Sequence, residues 1–212
     1  ATANNCLIME NQAMVGGGAC DFYGSSAARL AQCTIIGNSA HYAGGVCGSR
    51  LRSSIIYFNR MLAGGSYPNA DPEIASVETC CLTPDYWELW GANITNDPQL
   101  VSASHIAFDS PCVAGGSEWG MVRTDLDGEP WGTPRSSIGC DEVVESNLVG
   151  ALQVAILPEG SSVVVNTSMA FAAQIEGLAT SNRWSFGDGH GATNAYYSSH
   201  AWSTTGVFPV VL

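Results

Sequence analysis

Cysteine, isoleucine, asparagine and glycine recur in this chain in one fixed order, and that recurrence restricts the fold more than any other feature. Cys6-Leu-Ile-Met-Glu-Asn11 runs on to Gly16-Gly17-Gly18-Ala19-Cys20, and Cys33-Thr-Ile-Ile-Gly-Asn38 runs on to Gly44-Gly45-Val46-Cys47, an offset of 27 residues. Ser54-Ile-Ile-Tyr-Phe-Asn59 is a third, shorter copy after a further 21, with serine in the cysteine's place. A period of roughly 20 to 30 residues made of short β-rich runs is the mark of a solenoid, because one turn cannot bury its own apolar side and must stack on the next. Ile8, Ile35 and Ile56 each follow Cys6, Cys33 and Ser54 by two residues, which is the alternation of a strand and not the three-and-four spacing of a helix. Stacked parallel strands are the expected fold.

In that register Asn11, Asn38 and Asn59 fall at one bend, about 4.8 Å apart, where side-chain amides can hydrogen-bond along a ladder. Gly17-Gly18 and Gly44-Gly45 mark a second corner that needs positive φ or close backbone approach. Neither glycine pair is followed by Lys-Ser/Thr, so a phosphate-binding loop is not indicated. Cys6 with Cys33, and Cys20 with Cys47, occupy matched sites. Their Cα atoms would sit near 4.8 Å, inside the ~4.4–6.8 Å range of a disulfide, although parallel Cβ atoms lie slightly wider than the preferred ~3.8 Å. A ladder of free thiols and bridged repeats both fit.

Composition narrows the partners. The 212 residues suffice for two domains, and the formal charge is −12. All seven basic residues are arginine, so no basic stripe is offered to nucleic acid or to an anionic membrane. Eight cysteines without Cys-x2-Cys spacing point to an oxidising compartment rather than to zinc, and hence to export. No run of 18 apolar residues or signal peptide is present. Ala1-Thr-Ala-Asn-Asn5 starts directly before a repeat strand and Val207-Phe-Pro-Val-Val-Leu212 stops inside a strand pattern, as expected of mature sequence or an excised piece.

Asn-Cys-x-Ile-x-x-Asn followed by Gly-Gly-Ala/Val-Cys resembles the repeat of secreted bacterial right-handed parallel β-helix proteins, related to polymorphic outer-membrane-protein repeats. Gly17-Gly18-Ala19, Gly44-Gly45-Val46 and Tyr57-Phe58-Asn59 carry the likeness. Residues 61 to 79, with Pro68 and Pro72, are expected to form an irregular excursion from the coil. Asn93-Ile-Thr-Asn-Asp-Pro-Gln-Leu100, Asp109-Ser-Pro-Cys-Val-Ala-Gly115, Thr124-Asp-Leu-Asp-Gly128 and Ser137-Ile-Gly-Cys-Asp-Glu142 then follow in order. That series resembles the closing coils of the same proteins, of the choice-of-anchor type, with Leu100 for the usual aromatic, Ala114 for an aspartate and Cys140 for an alanine. The resemblance implies no catalytic position here. It also implies a link from Cys80 or Cys81 to Cys112, and leaves Cys140 without a clear partner.

After a short acidic linker, residues 150–212 alternate strands and turns in the manner of a small sandwich, with strands at Leu152–Ile156, Val163–Val165 and Met169–Ile175. Asn182-Arg-Trp-Ser-Phe-Gly-Asp-Gly189, Ser199-His-Ala-Trp202 and Gly206-Val-Phe-Pro-Val-Val-Leu212 resemble the PKD domain, an immunoglobulin-like module. Trp184, Phe186, Gly187, Asp188, Gly189, His200 and Gly206 match its pattern, while Ser185, Trp202 and Phe208 depart from it. The likeness implies that His200 packs and hydrogen-bonds beside the turn. His41, His105 and His190 share no spacing, so no metal or cofactor is expected. Asp125 and Asp127 are spaced as calcium ligands are, but too few further oxygens accompany them, and Asx turns account for both.

Proteins of the β-helix family include polysaccharide lyases and hydrolases, which need a basic residue beside a calcium cluster or converging aspartates. Glu10 and Asp21 are instead followed by Gly37 and Gly48 on the next copy, and Arg50 and Arg52 have no acid nearby in the repeat. Trp87, Trp90, Trp119 and Trp131 offer faces for a polysaccharide, or lids for the core. The expected protein is all-β: a right-handed parallel β-helix over 1–142, a linker over 143–149, and a PKD-like β-sandwich over 150–212 whose last strand is cut short. The expected role is a non-catalytic, secreted or cell-surface structural or adhesive element, such as part of a filament or adhesin. Its partners would be copies of itself or neighbouring domains, with polysaccharide binding or degradation as the alternative. Asn93-Ile-Thr and Asn166-Thr-Ser are glycosylation sequons.

Overall fold

The computed structural model describes residues 1–21, 28–62, 64–71, 76–83, 92–117, 123–144 and 151–212. Among these the chain is all-β, without helices, and therefore without a helix long and apolar enough to cross a membrane. Contacts divide it into two units: Ala1–Pro98 with Asp109–Val143, and Gln99–Phe108 with Val144–Leu212.

In unit 1 the sequence repeat is a repeat of strands. The first copy forms β1 (Thr2–Asn4), β2 (Leu7–Met9), β3 (Gln12–Val15) and β4 (Ala19–Cys20). The second forms β5 (Arg29–Ala31), β6 (Thr34–Ile36), β7 (Ser39–Tyr42) and β8 (Val46–Cys47). The third forms β9 (Arg50–Arg52), β10 (Ile55–Tyr57) and β11 (Arg60–Met61), and β12 (Ser76–Glu78) with β13 (Cys81–Leu82) begins a fourth. Like strands pair in parallel, giving the orders β1-β5-β9-β12, β2-β6-β10-β13, β3-β7-β11 and β4-β8. Ile8 pairs with Ile35, Ile35 with Ile56 and Ile56 with Leu82, so apolar residues stand in columns. Leu30, Leu51 and Val77 form a second buried column, Val46 and Ala70 a third, and Cys33 and Cys80 line the same core.

Such short strands require frequent corners, and backbone in the left-handed region supplies them. Asn5, Gln32, Ser53 and Thr79 lie at one corner with φ of 55, 51, 45 and 52°, and Glu10, Gly37 and Phe58 at the next with 56, 64 and 53°. Most are not glycine, so stacking in register pays the local strain. The doubled glycines act differently. Positive φ falls on Gly16 and Ala43, while Gly17 and Gly44 allow close approach: a Cβ on Gly17 would overlap the Gly44 carbonyl oxygen, and one on Gly44 the Arg60 carbonyl oxygen.

The stretch after Met61 departs from the expected excursion. Val46 bridges Ala70 in parallel, its N–H donating to the Asn69 carbonyl at 2.8 Å, and β12 pairs with β9. Residues 69–71 and β12 thus extend the stack, although only about 10 residues separate Asn59 from Asn69. Arg52, expected to lack an acid, donates from Nε to Glu78 Oε2 of β12 at 3.1 Å.

The segment from 109 to 143 lies along the repeats. Thr124 accepts a bond from Asn5 Nδ2, the Cys140 N–H donates to Thr34 Oγ1, and the Gly139 N–H donates to the Ser53 carbonyl. Each contact lies on a different copy, so this segment ties the first three together.

Unit 2 is antiparallel. β14 (Gln153–Pro158), β15 (Met169–Glu176) and β18 (Tyr197–His200) make one sheet in the order β14-β15-β18, and β16 (Arg183–Ser185) with β17 (Gly191–Thr193) makes a hairpin. Phe171, Trp184, Phe186 and Trp202 form its buried aromatic core. Val163–Val165, expected as a strand, is irregular, with Val164 75% exposed and Asn166 turning the chain at φ 63°. Of the expected final strand, only Val211 bridges, to Ser185.

Candidate functional site

The asparagine bend of unit 1 is a continuous hydrogen-bonded ladder. Asn11 Nδ2 donates to Asn38 Oδ1 at 2.9 Å, Asn38 Nδ2 to Asn59 Oδ1 at 3.0 Å, Asn59 Nδ2 to Asn69 Oδ1 at 3.1 Å and Asn69 Nδ2 to Thr83 Oγ1 at 2.7 Å. Each of these acceptor Oδ1 atoms also takes the backbone N–H of the preceding asparagine at 3.0 Å. Buried amides are thereby paired within the stack, Asn38 being fully buried while Asn11 is exposed. The last two members were not legible in the sequence, because the period shortens before them.

The eight cysteines are free thiols in this structure. Cys6 meets Cys33, Cys20 meets Cys47 and Cys81 meets Cys112, each pair through side-chain hydrogen bonding. Of the two cysteines the resemblance offered to Cys112, the structure brings Cys81 to it; Cys80 packs in the column of Cys33. Burial pushes the Cys33, Cys80 and Cys140 thiols up to about 12. Cys47 is also raised, by burial and then by its bond to Cys20, and Cys81 by its bond to Cys112 and then by burial. Protonated at neutral pH, these groups are poor nucleophiles.

Three carboxylates, Asp125, Glu129 and Asp141, are buried with one oxygen of each within 4.8 Å of the others. Asp125 Oδ1 accepts the N–H groups of Asp127 at 3.0 Å and Glu129 at 2.8 Å, and its Oδ2 that of Glu142 at 2.9 Å. This is the Asx-turn role, and it occupies the carboxylate with backbone donors. Asn93 of the first sequon is likewise a fold residue, buried and accepting the Cys80 N–H at 2.8 Å.

In unit 2 the residues that resemble the PKD pattern gather at one turn. Trp184 is fully buried and donates from Nε1 to the Ala195 carbonyl at 2.8 Å, and Trp202 Nε1 donates to the Phe186 carbonyl at 2.9 Å. Gly187 and Gly189, at φ +78 and +92°, flank Asp188, and a Cβ on Gly187 would meet Pro209 Cδ at 2.7 Å. Gly206 lies beside the Phe208 ring. His200 stacks on Phe186, ring centroids 4.5 Å apart, and its Nε2 is 2.7 Å from Asp188 Oδ2. His190 joins them, Nδ1 lying 3.3 Å from Asp188 Oδ1. Burial alone would raise Asp188, but bonds from His200 and His190 outweigh it and hold the carboxyl down at about 2. Sequence spacing did not bring His190 to His200; the β16–β17 turn and the end of β18 do.

Unit 2 also has a groove of about 570 Å³ between residues 156–171 and 202–210, lined by Ile156, Val164, Phe171, Trp202 and Val207 among others and by no ionisable side chain. Trp131, Trp184 and Trp202 are buried; Trp87, Trp90 and Trp119 lie outside the described residues. Comparison with protein-family models, with curated proteins and with solved structures found no match to this chain.

Proposed function

We propose that this chain is a non-catalytic structural or adhesive element of a secreted or cell-surface protein. In this reading residues 1–142 are a run of right-handed parallel β-helix and residues 150–212 a PKD-like sandwich. The observation that carries it is the first copy of the repeat. Among the described residues β1, β2, β3 and β4 are each the last strand of their sheet, and Asn11 stands exposed at the end of the asparagine ladder. Together they form a register-matched face that another repeat can extend, by backbone pairing and by one more amide. Met14, 71% exposed on β3, adds an apolar contact.

Sedimentation over a wide concentration range tests the assembling role. Association that Gln12→Pro abolishes supports it, because Gln12 opens β3 with its N–H directed away from β7; a monomer at every concentration contradicts it. The polysaccharide alternative rests on indoles outside the described residues and predicts retention on insoluble polysaccharide. The extracellular placement predicts that oxidised protein, digested without reduction, yields Cys20–Cys47 and Cys81–Cys112 peptides. Recovery of all eight thiols free from an exported sample contradicts it.

A further inference from the structure

We infer that Asp188, His190 and His200 form a surface site for a divalent transition-metal ion of the zinc or nickel class. One ligand atom from each residue lies within 4.8 Å of the other two. The two oxygens of Asp188 face one histidine each, Oδ1 toward His190 Nδ1 at 3.3 Å and Oδ2 toward His200 Nε2 at 2.7 Å. Ligand atoms on one tetrahedral ion, bound at about 2.0–2.2 Å, stand about 3.3 Å apart. Asp188 offers one of these oxygens to the ion: the Oδ1–Nδ1 pair already has that separation, and His200 opens to it when an ion replaces the proton it shares with the carboxylate.

The site is built rather than incidental. His200 is held between Phe186, stacked at 4.5 Å, and Trp202, edge-on at 4.9 Å, which fixes the direction of Nε2. Asp188 is fixed by the His190 N–H, which donates to Oδ1 at 3.1 Å. Its glycine neighbours at positive φ set the turn that presents it. His190, with a side chain 74% exposed, closes the site from the solvent side and leaves a fourth position open to water or to a donor from another molecule. Two imidazoles with one carboxylate select zinc, nickel, copper or cobalt over calcium and magnesium, which prefer oxygen.

The test is a titration of the full chain with Zn²⁺, followed by the imidazole resonances of all four histidines, with affinity measured by calorimetry. Saturating shifts at His190 and His200, absent at His41, are expected. His190→Ala, which removes an exposed side chain, is expected to weaken binding at least tenfold while the native spectrum elsewhere is kept. Asp188→Asn, which retains an oxygen for the turn, is expected to weaken it as well. Unmoved His190 and His200 resonances at millimolar Zn²⁺, or an affinity unchanged in His190→Ala, overturns the site.

Discussion

Unit 1 and unit 2 solve the burial of a β-structure's polar backbone in opposite ways. In unit 1 each strand is only two to four residues long and pairs with its own copy, so every side chain meets its equivalent: isoleucine on isoleucine, asparagine on asparagine, cysteine on cysteine. In unit 2 strands reach eight residues, pair antiparallel, and enclose unlike aromatic rings that meet once. Stability in the first is a sum over neighbouring copies, and in the second it is concentrated in a few rings.

The sharpest way to break this contrast is a pair of core truncations. Trp184→Ala, at a fully buried indole, should cost unit 2 about 3–5 kcal/mol, and Ile35→Ala should cost unit 1 about 2–5 kcal/mol. Two calorimetric transitions, each moved by only one substitution, are expected; a single transition moved by both would erase the distinction. Within unit 1 the ladder predicts a gradient. Asn38→Ala leaves buried backbone and amide groups unpaired at about 1–3 kcal/mol each, whereas Asn11→Ala, at the exposed end, should cost about 1 kcal/mol. Equal losses in urea denaturation would show that the amides do not act as a buried column.

Acid and alkali should separate the units more gently. The reduced thiols of Cys33, Cys80 and Cys140 have an ordinary value of 9.0 when unfolded and about 12 when folded. The unfolded chain therefore loses protons first, and the contribution of these thiols to unit 1 is fully present below pH 9 and is lost as pH rises from 9 to 12. Asp188 is shifted the other way, from 3.8 to about 2, so its contribution to unit 2 is present above pH 3.8 and fades as pH falls toward 2. Melting of the reduced protein across pH, with the units followed separately, checks both directions.

These differences also explain what the sequence made legible. Unit 1 writes its contacts as a period, so the pairing of Ile8 with Ile35 and the ladder from Asn11 to Asn59 follow from spacing alone. The period fails where the chain shortens it: Asn69 and Ala70 take their places in the stack within a Pro-containing stretch that reads as loop. The corners were hidden for another reason. Gln32, Ser53 and Phe58 carry positive φ without being glycine, because stacking rather than local preference fixes them. In unit 2 the turn around Asp188 is visible as a motif, but the meeting of His190 with His200 depends on β18 returning beside the hairpin, which no spacing encodes.

Methyl-to-methyl nuclear Overhauser effects in isoleucine-labelled protein test the stacked repeats most directly. Contacts running from Ile8 to Ile35 and from Ile35 to Ile56, with none directly from Ile8 to Ile56, are the predicted result. Absence of the Ile8–Ile35 contact, or a direct one between Ile8 and Ile56, would contradict it.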